Sequence, residues 1–137
     1  VDIAEVQVEI GSVATPFEHR MYGQELALCQ RYFAKSYNQS VVPGTASDYN
    51  GAPGRFVDAT TSYASVQVFF PVSMRATPTA TLYNPSTGAT ASLRSDSANH
   101  PAAVTQQGEN GFFFFANNSS IGVSSSCRAH YTASAEL

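Results

Sequence analysis

Four consecutive phenylalanines, Phe112 to Phe115, constrain the fold of this 137-residue chain more than any other feature. Asn110-Gly111 directly precedes them and is a strong signal for a β-hairpin turn, so we predict that the run is a strand. Because successive side chains of a strand point to opposite faces, both faces would carry aromatic rings. A second sheet or a neighbouring subunit must then cover each face.

Short strand candidates separated by turn residues fill the chain from Ser40 onward, as is typical of an all-β protein. The strongest candidate, Ser62 to Val72, places Val66, Val68 and Phe70 on one face. Further strands are predicted over 55–60, 79–83, 89–94, 102–107, 121–123 and 127–131, with a polar loop over 95–101. The sequence therefore predicts an all-β fold, an antiparallel two-sheet β-sandwich of jelly-roll type.

One stretch, Tyr22 to Lys35, has helical periodicity instead, and it predicts one short α-helix near residues 23–35 with Gly23 as its N-cap. Its apolar residues recur at spacings of four, three and four, so they share one face. We expect that face to dock on an apolar surface, most simply a sheet. Six side chains are therefore candidates for helix docking or for packing between subunits: Tyr22, Leu26, Cys29, Phe33, Phe113 and Phe115.

The first 20 residues have a different pattern from the rest. Apolar residues alternate with polar ones up to Gly11, which predicts a half-buried strand, and Thr15-Pro16 favours an extended connector. We expect residues 1–20 to be a strand and linker from a preceding domain of a longer protein. Residues 21–137 would then form the C-terminal β-sandwich module.

Charge and cysteine content exclude several classes of function. Charged residues are only 12% of the chain, the net charge is −3, and Lys35 is the only lysine. Nucleic-acid binding needs clustered lysine and arginine, and the six arginines are scattered. No apolar run approaches the ~20 residues of a membrane-spanning helix. Two cysteines, Cys29 and Cys127, make no disulfide framework, and we expect both to be buried, reduced thiols.

Catalytic and metal-binding patterns are missing from the sequence. No two of His19, His100 and His130 have metal-ligand spacing, and neither a nucleophile elbow nor a phosphate loop occurs. Asp48 and Asp58 flank one long loop and could approach each other, as sugar cleavage would require. Aspartate is common in turns, however, and capping accounts for both. We therefore predict a non-catalytic protein without a metal or cofactor.

Loops of a rigid sandwich are where binding residues collect. A sugar is bound by an aromatic ring against its apolar face and by amides, carboxylates and guanidinium groups on its hydroxyls. The predicted loops and strand ends hold such residues, which we take as candidate glycan ligands: Tyr49, Asn50, Arg55, Asp58, Tyr83, Asn84, Arg94, Asp96, Asn99 and His100.

Three segments resemble one protein family. Thr15 to Phe33 (TPFEHRMYGQELALCQRYF) resembles the opening of a C-terminal module found in many bacteriophage tail fibres and tail spikes. Phe70 to Thr81 (FPVSMRATPTAT) is similar to its second signature, and Tyr131 to Leu137 (YTASAEL) is similar to its usual ending. The three segments bracket residues 15–137. No motif of the family occurs in 36–66 or 82–130, which include most of the loops.

The resemblance implies the distal domain of a homotrimeric adhesin of the virion, assembled in the bacterial host cytoplasm and preceded by other domains of the same fibre. It implies no catalytic residues. Three functions stay open at this point. The module could bind host surface polysaccharide, it could only trimerise and cap the fibre, or, less readily, it could degrade polysaccharide. Repetition in a trimer would turn weak single-site binding into avidity.

Overall fold

The computed structural model describes residues 7–136, except 14, 17–18, 58–62, 97 and 118–124. Within these residues the chain forms one α-helix and ten strands. They are α1 (Tyr22–Gln30), β1 (Phe33–Lys35), β2 (Gly54–Val57), β3 (Tyr63–Phe69), β4 (Thr79–Tyr83), β5 (Ser92–Arg94), β6 (Asn99–Pro101), β7 (Ala103–Gly108), β8 (Gly111–Asn117), β9 (Ser125–Arg128) and β10 (His130–Ser134).

The described strands form three antiparallel sheets in a sandwich-like arrangement, which confirms the predicted all-β fold. Sheet A has the order β1-β10-β4, sheet B the order β2-β9-β5-β6, and sheet C the order β3-β8-β7. Three sheets rather than the predicted two arise because the last predicted strand is divided at Ala129, whose N–H donates to the carbonyl of Pro53. Strand β9 thus joins sheet B, and β10 joins sheet A.

The four-phenylalanine strand lies at the centre of sheet C, and its side chains alternate between two faces as predicted, but only one face is fully covered within the chain. Phe112 and Phe114 are buried in the core, whereas Phe113 and Phe115 are partly buried on the opposite face. The hairpin turn predicted over Gly108 to Gly111 is confirmed: Gly108 pairs with Gly111, and Glu109-Asn110 forms the two-residue loop between β7 and β8. A Cβ on Gly111 would lie 2.1 Å from the carbonyl oxygen of Val68, so only glycine fits at that position.

Helix α1 is shorter than predicted. It ends at Gln30, and after a turn at residues 31–32 the chain enters β1, where Phe33 pairs with Ser134 of β10. The predicted extent to residue 35 is wrong because pairing with β10 satisfies the backbone there in place of helical hydrogen bonds. The N-cap is Met21 rather than Gly23.

The predicted docking of the helix on a sheet is also wrong within the single chain. No residue of α1 is buried: Tyr22 is 70% exposed, Cys29 is exposed and Leu26 is only partly buried. Phe33 leaves the helical stripe when β1 begins, and it remains 43% exposed. The shortened helix contacts β1, which is an edge strand of sheet A, so no sheet face lies beneath it.

Other predictions have mixed outcomes. Cys127 is buried as expected, but Cys29 is exposed because helix α1 has no buried face, so the expectation is wrong for Cys29. Residues 7–11 form no strand, and Ile10 is fully exposed. The predicted loop over 95–101 contains strand β6, because Asn99 pairs with Arg94. Residues 1–6 and the predicted strand at 121–123 lie outside the described residues. Among those described, no helix is long and apolar enough to span a membrane.

Candidate functional site

One outward-facing row of residues crosses all four strands of sheet B. Gly54 of β2 pairs with Arg128 of β9, Arg128 pairs with Arg94 of β5, and Arg94 pairs with Asn99 of β6. Directly opposed residues of antiparallel strands project from the same face, with Cβ atoms about 5 Å apart. The register therefore places two arginines side by side on one face. We call these four residues the arginine row.

Both guanidinium groups of the row are held by neutral acceptors. Arg94 Nη1 donates to Asn99 Oδ1 at 3.2 Å and Nη2 to the Asp96 carbonyl at 3.4 Å. Arg128 Nη2 donates to Ser126 Oγ at 2.5 Å. Among the described residues, neither guanidinium forms an ion pair with a carboxylate. Within the described part of the chain, the row thus presents two positive charges without an ion-pair partner on a partly exposed surface.

Glycine at position 54 allows strand β2 to pack closely against Arg128. A Cβ there would lie 2.7 Å from the Cys127 carbonyl oxygen and 2.9 Å from Arg128 Cβ, closer than real Cβ atoms approach their neighbours. A side chain at this position would therefore displace the aliphatic part of Arg128. The arginine keeps its place because its neighbour on β2 has no side chain.

Tyr49 adds an aromatic ring to the same surface. The guanidinium carbon of Arg128 lies 5.9 Å from the Tyr49 ring centroid, and the ring is 39% exposed. The loop holding Tyr49 is closed by Asp48, whose Oδ1 accepts hydrogen bonds from the backbone N–H of Asn50 at 3.1 Å and from its side-chain amide at 3.0 Å. This aspartate turn fixes the direction in which Tyr49 projects.

A buried histidine anchors that loop to the core. His130 Nε2 lies 3.0 Å from the Asp48 carbonyl oxygen, and Nδ1 lies 2.8 Å from the Ser36 hydroxyl oxygen. The carbonyl can only accept, so Nε2 carries a proton and donates it to this hydrogen bond; in the neutral ring, Nδ1 then accepts from the Ser36 hydroxyl. Tyr37 stacks on the imidazole with 3.8 Å between centroids. Burial lowers the pKa of His130, and the hydrogen bond and charge of Asp48 oppose that shift less strongly.

The hydrogen bond between Ser36 and His130 was not predicted from the sequence, because 94 positions separate the two residues. A hydroxyl beside an imidazole can be a nucleophile and its base. Here the imidazole is fully buried and the Ser36 oxygen also accepts the Tyr131 N–H at 2.9 Å. With every polar atom of the pair engaged inside the protein, the arrangement positions the loop at Asp48.

Two predicted glycan ligands, Asn84 and His100, are buried, so their prediction as surface ligands is wrong. The Asn84 amide donates to the Leu93 carbonyl at 2.9 Å, and its oxygen accepts from the Ser86 N–H at 2.9 Å. His100 Nε2 is bonded to Ser95 Oγ at 2.9 Å. Burial, and secondarily the charge of Arg94, lowers the pKa of His100. The Asn84 side chain thus stabilises the turn at Ser86, and the His100 side chain is tied to the loop at Ser95.

The remaining predicted ligands divide between surfaces. Asp96 is exposed near the arginine row, and its Oδ2 accepts the Ser126 N–H at 2.8 Å. Arg55 pairs with Cys127 and so projects from the opposite face of sheet B. Tyr83 lies in sheet A, edge-to-face with Tyr37 at 6.1 Å. Asp58 lies outside the described residues, so its approach to Asp48 stays a prediction.

The structure therefore brings together four of the predicted ligands, Tyr49, Arg94, Asp96 and Asn99, with Asn50 exposed next to Tyr49. Arg128, at the centre of the row, was not predicted, because it lies inside the predicted strand 127–131 rather than in a loop or at a strand end. Side chains alternate along β9: Ser125 and Cys127 are buried, so Arg128 projects outward. This alternation is the feature that could have identified Arg128 as a surface residue.

A second surface feature lies beside helix α1. A groove of about 440 Å³ is lined by apolar and polar side chains that include Leu26, Cys29, Phe33, Lys35, Tyr37 and Pro71. Across the described residues, no group of three histidine, cysteine or acidic side chains is placed to hold a metal ion.

No protein-family model, curated protein or solved structure significantly matches this chain. The function is therefore inferred from the sequence motifs and from the geometry of these two surfaces.

Proposed function

We propose that this chain is a non-catalytic saccharide-binding module whose ligand lies across the arginine row and against Tyr49. One observation carries the proposal: the register of sheet B aligns Gly54, Arg128, Arg94 and Asn99 in a single row over four strands. Such a row is fixed by backbone hydrogen bonds and is therefore in place before a ligand arrives.

The chemistry of the surface suits a sugar. The Tyr49 ring offers an apolar face for a pyranose, while Asn99 and the guanidinium groups offer hydrogen-bond partners for hydroxyls. Because the row lies on the outward face of a sheet, we expect weak binding by each copy. Several copies in one assembly would raise the overall strength of attachment.

The biological setting of the proposal comes from the sequence. The segments at 15–33, 70–81 and 131–137 resemble the C-terminal module of phage tail fibres and tail spikes. We propose accordingly that the chain is the distal part of a homotrimeric fibre on the virion and that its ligand is a host surface polysaccharide. The low charge of the chain, 12% of residues, fits a particle-borne protein that stays soluble through uncharged polar groups.

A second function, trimerisation and capping of the fibre, is favoured by a different surface. Helix α1 has no buried residue, and Phe69 is 70% exposed on the face of sheet C that also carries Phe113 and Phe115. Aromatic side chains left this exposed in a single chain would be covered by neighbouring copies. The two functions use separate surfaces and can coexist.

The binding proposal is tested by measuring the solution mass of the chain by light scattering and its binding to a panel of bacterial surface glycans. Tyr49→Ala should weaken binding at least about tenfold, since the aromatic platform is lost. Tyr32→Ala is the matched control, because Tyr32 is also exposed and also contacts an arginine, Arg75, at 5.1 Å. A folded chain that binds no glycan would move the function to capping alone.

The assembly proposal is tested by replacing Tyr22 and Leu28 with serine together. Both side chains are exposed, at 70% and 42%, so folding of the single chain should be unchanged. Sedimentation should show dissociation of the trimer into folded monomers. A trimer of unchanged stability would place its interface elsewhere, and a wild-type monomer would reject the trimeric proposal.

A further inference from the structure

We propose that the arginine row selects an acidic saccharide by binding the carboxylate of a hexuronic-acid residue between Arg94 and Arg128. This inference rests on the proposed saccharide-binding function and names the class of its ligand. The two guanidinium groups, rather than the Tyr49 ring or Asn99, would provide the discrimination between acidic and neutral sugars.

The first argument is electrostatic. Like charges directly opposite each other on neighbouring strands destabilise a sheet. The chain nevertheless places Arg94 opposite Arg128. Because the net charge of the whole chain is −3, the two arginines are a local concentration of positive charge on a protein that is negative overall. Asp96 Oδ2 is directed to the Ser126 N–H instead of to either arginine. A bound anion would remove the repulsion between the two guanidinium groups, and that relief favours an anionic ligand over a neutral one.

The second argument is geometric. A guanidinium group has five N–H donors in a planar fork that matches a carboxylate. Arg94 directs two hydrogen bonds to Asn99 and Asp96, and Arg128 directs one to Ser126, so both retain donors for a ligand. The protein acceptors also hold the two side chains in place. Less side-chain entropy is then lost when the carboxylate binds.

The third argument concerns the space around the pair. Gly54 leaves one side of Arg128 without a neighbouring side chain, and Tyr49 lies over its guanidinium at 5.9 Å. A carboxylate bound between the arginines would bring its own sugar ring close to Tyr49. The charged group and the pyranose face of one hexuronic acid are thus matched by adjacent features of the surface.

The experiment compares acidic glycans with neutral counterparts that differ in one group. Hexuronic-acid oligosaccharides from bacterial capsules are titrated into the full chain by calorimetry, each beside its carboxyl-reduced form. Phosphorylated oligosaccharides and their dephosphorylated forms make a second arm. Because charge-assisted hydrogen bonds are lost, we expect carboxyl reduction to weaken binding at least about tenfold. Binding of the acidic form should also weaken with added salt.

Three variants assign the effect to the row. Arg94→Gln and Arg128→Gln should each weaken binding of the acidic form at least about tenfold while leaving the reduced form nearly unchanged. Arg55→Gln is the matched control, since Arg55 lies on the neighbouring strand but projects from the opposite face. In the wild-type chain, NMR signals of the Arg94 and Arg128 Nε–H groups should shift on titration, which tests the site even if a variant fails to fold.

Each outcome tests either the selectivity for an acidic sugar or the saccharide-binding function on which that selectivity rests. Equal binding of acidic and reduced forms, lost in Tyr49→Ala, would overturn the acidic selectivity and keep the saccharide-binding function. Binding of the acidic form that is unchanged in both Arg94→Gln and Arg128→Gln would likewise overturn the acidic selectivity and keep the saccharide-binding function. Binding confined to phosphorylated sugars would overturn the choice of a carboxylate. No binding to any glycan would overturn the saccharide-binding function itself.

Discussion

The arginine row and helix α1 are both surface features, but they are supported in opposite ways. Each residue of the row is fixed by strand pairing. Buried histidines hold the neighbouring loops: His130 is bonded to Asp48 in the loop of Tyr49, and His100 is bonded to Ser95, which follows Arg94. Helix α1 has no buried residue and lies against an edge strand. Among the described residues, one surface is held by strand pairing within the single chain, whereas the other has no buried side chain.

The difference separates ligand binding from assembly. A surface whose side chains are already held by strand pairing and hydrogen bonds is suited to recognise a small ligand, because little ordering is needed on binding. A helix whose apolar side chains are all accessible gains most from a second protein surface. Changes near the row should therefore alter folding and ligand binding, and changes in α1 should alter mainly association.

The largest effect is expected from His130→Ala. Removing the imidazole leaves the Asp48 carbonyl and the Ser36 hydroxyl without their partner and opens a cavity beside Tyr37. The free energy of unfolding should fall by about 3 kcal/mol, as measured by urea denaturation. Leu28→Ala in α1 is the control and should cost less than about 0.5 kcal/mol. Similar losses of stability in His130→Ala and Leu28→Ala would contradict the proposed difference between the supported arginine row and the unsupported helix α1.

Acidification should destabilise the chain through the two buried histidines. Burial lowers the pKa of both His100 and His130 below the unfolded value of about 6.5. As the pH falls through 6.5, the unfolded state takes up protons that the folded state does not, so stability is present above that pH and is lost below it. The loss between pH 6.5 and 5.5 has an upper limit of about 2 kcal/mol, which is reached when neither folded imidazole takes up a proton.

Urea denaturation at a series of pH values measures this loss. His100→Asn should remove about half of the pH dependence, since each histidine accounts for up to one proton. Stability that stays flat down to pH 5.5 would mean that the two imidazoles accept protons in the folded state.

A smaller effect is expected from Gly54→Ala. Its Cβ would lie 2.7 Å from the Cys127 carbonyl oxygen and 2.9 Å from Arg128 Cβ, so the strands must shift. Overpacking of this kind should cost about 1.5 kcal/mol in thermal or urea unfolding. Binding of an acidic saccharide should weaken as well, because Arg128 moves. An unchanged stability would show that sheet B accommodates a side chain at this position.

The smallest effect, with the opposite sign, is expected from Gly23→Ala in α1. Nothing lies within 4 Å of the position that a Cβ would occupy, and the residue is helical. Replacing a helical glycine by alanine should stabilise the chain by about 0.5 kcal/mol. Gly23→Ala and Gly54→Ala make the same substitution in helix α1 and in sheet B, so their effects on the free energy of unfolding can be compared directly. A loss of trimer without a loss of stability would indicate that a neighbouring copy packs against residue 23.

The sequence predicts strands well where the alternation of neighbouring side chains is enough to identify them. Strand β4 is found at residues 79–83 as predicted, and the alternation of Phe112 to Phe115 is confirmed, because strand periodicity depends on neighbouring residues alone. The end of α1 was mispredicted because the stretch after Gln30 pairs with β10, about 100 positions away in the chain. Local propensity contains no information about that partner.

The arginine row could not have been predicted for the same reason. Gly54, Arg94 and Arg128 are separated by 40 and 34 positions, and only the register of sheet B makes them neighbours. Residue type also failed to distinguish the accessible Asn99 from the buried Asn84, since asparagine serves as a ligand and as a turn stabiliser. Burial alone separates these roles, and it depends on the assembled fold.

The two cysteines provide a natural reporter of motion behind the arginine row. Cys29 is exposed on α1, whereas Cys127 is fully buried next to Arg128, and burial raises the pKa of its thiol. A thiol-specific reagent should label Cys29 at once and Cys127 only when sheet B opens. Because labelling of a buried group follows the population of the open form when reclosure is fast, the two rates together give the opening equilibrium of the sheet in the unmodified chain.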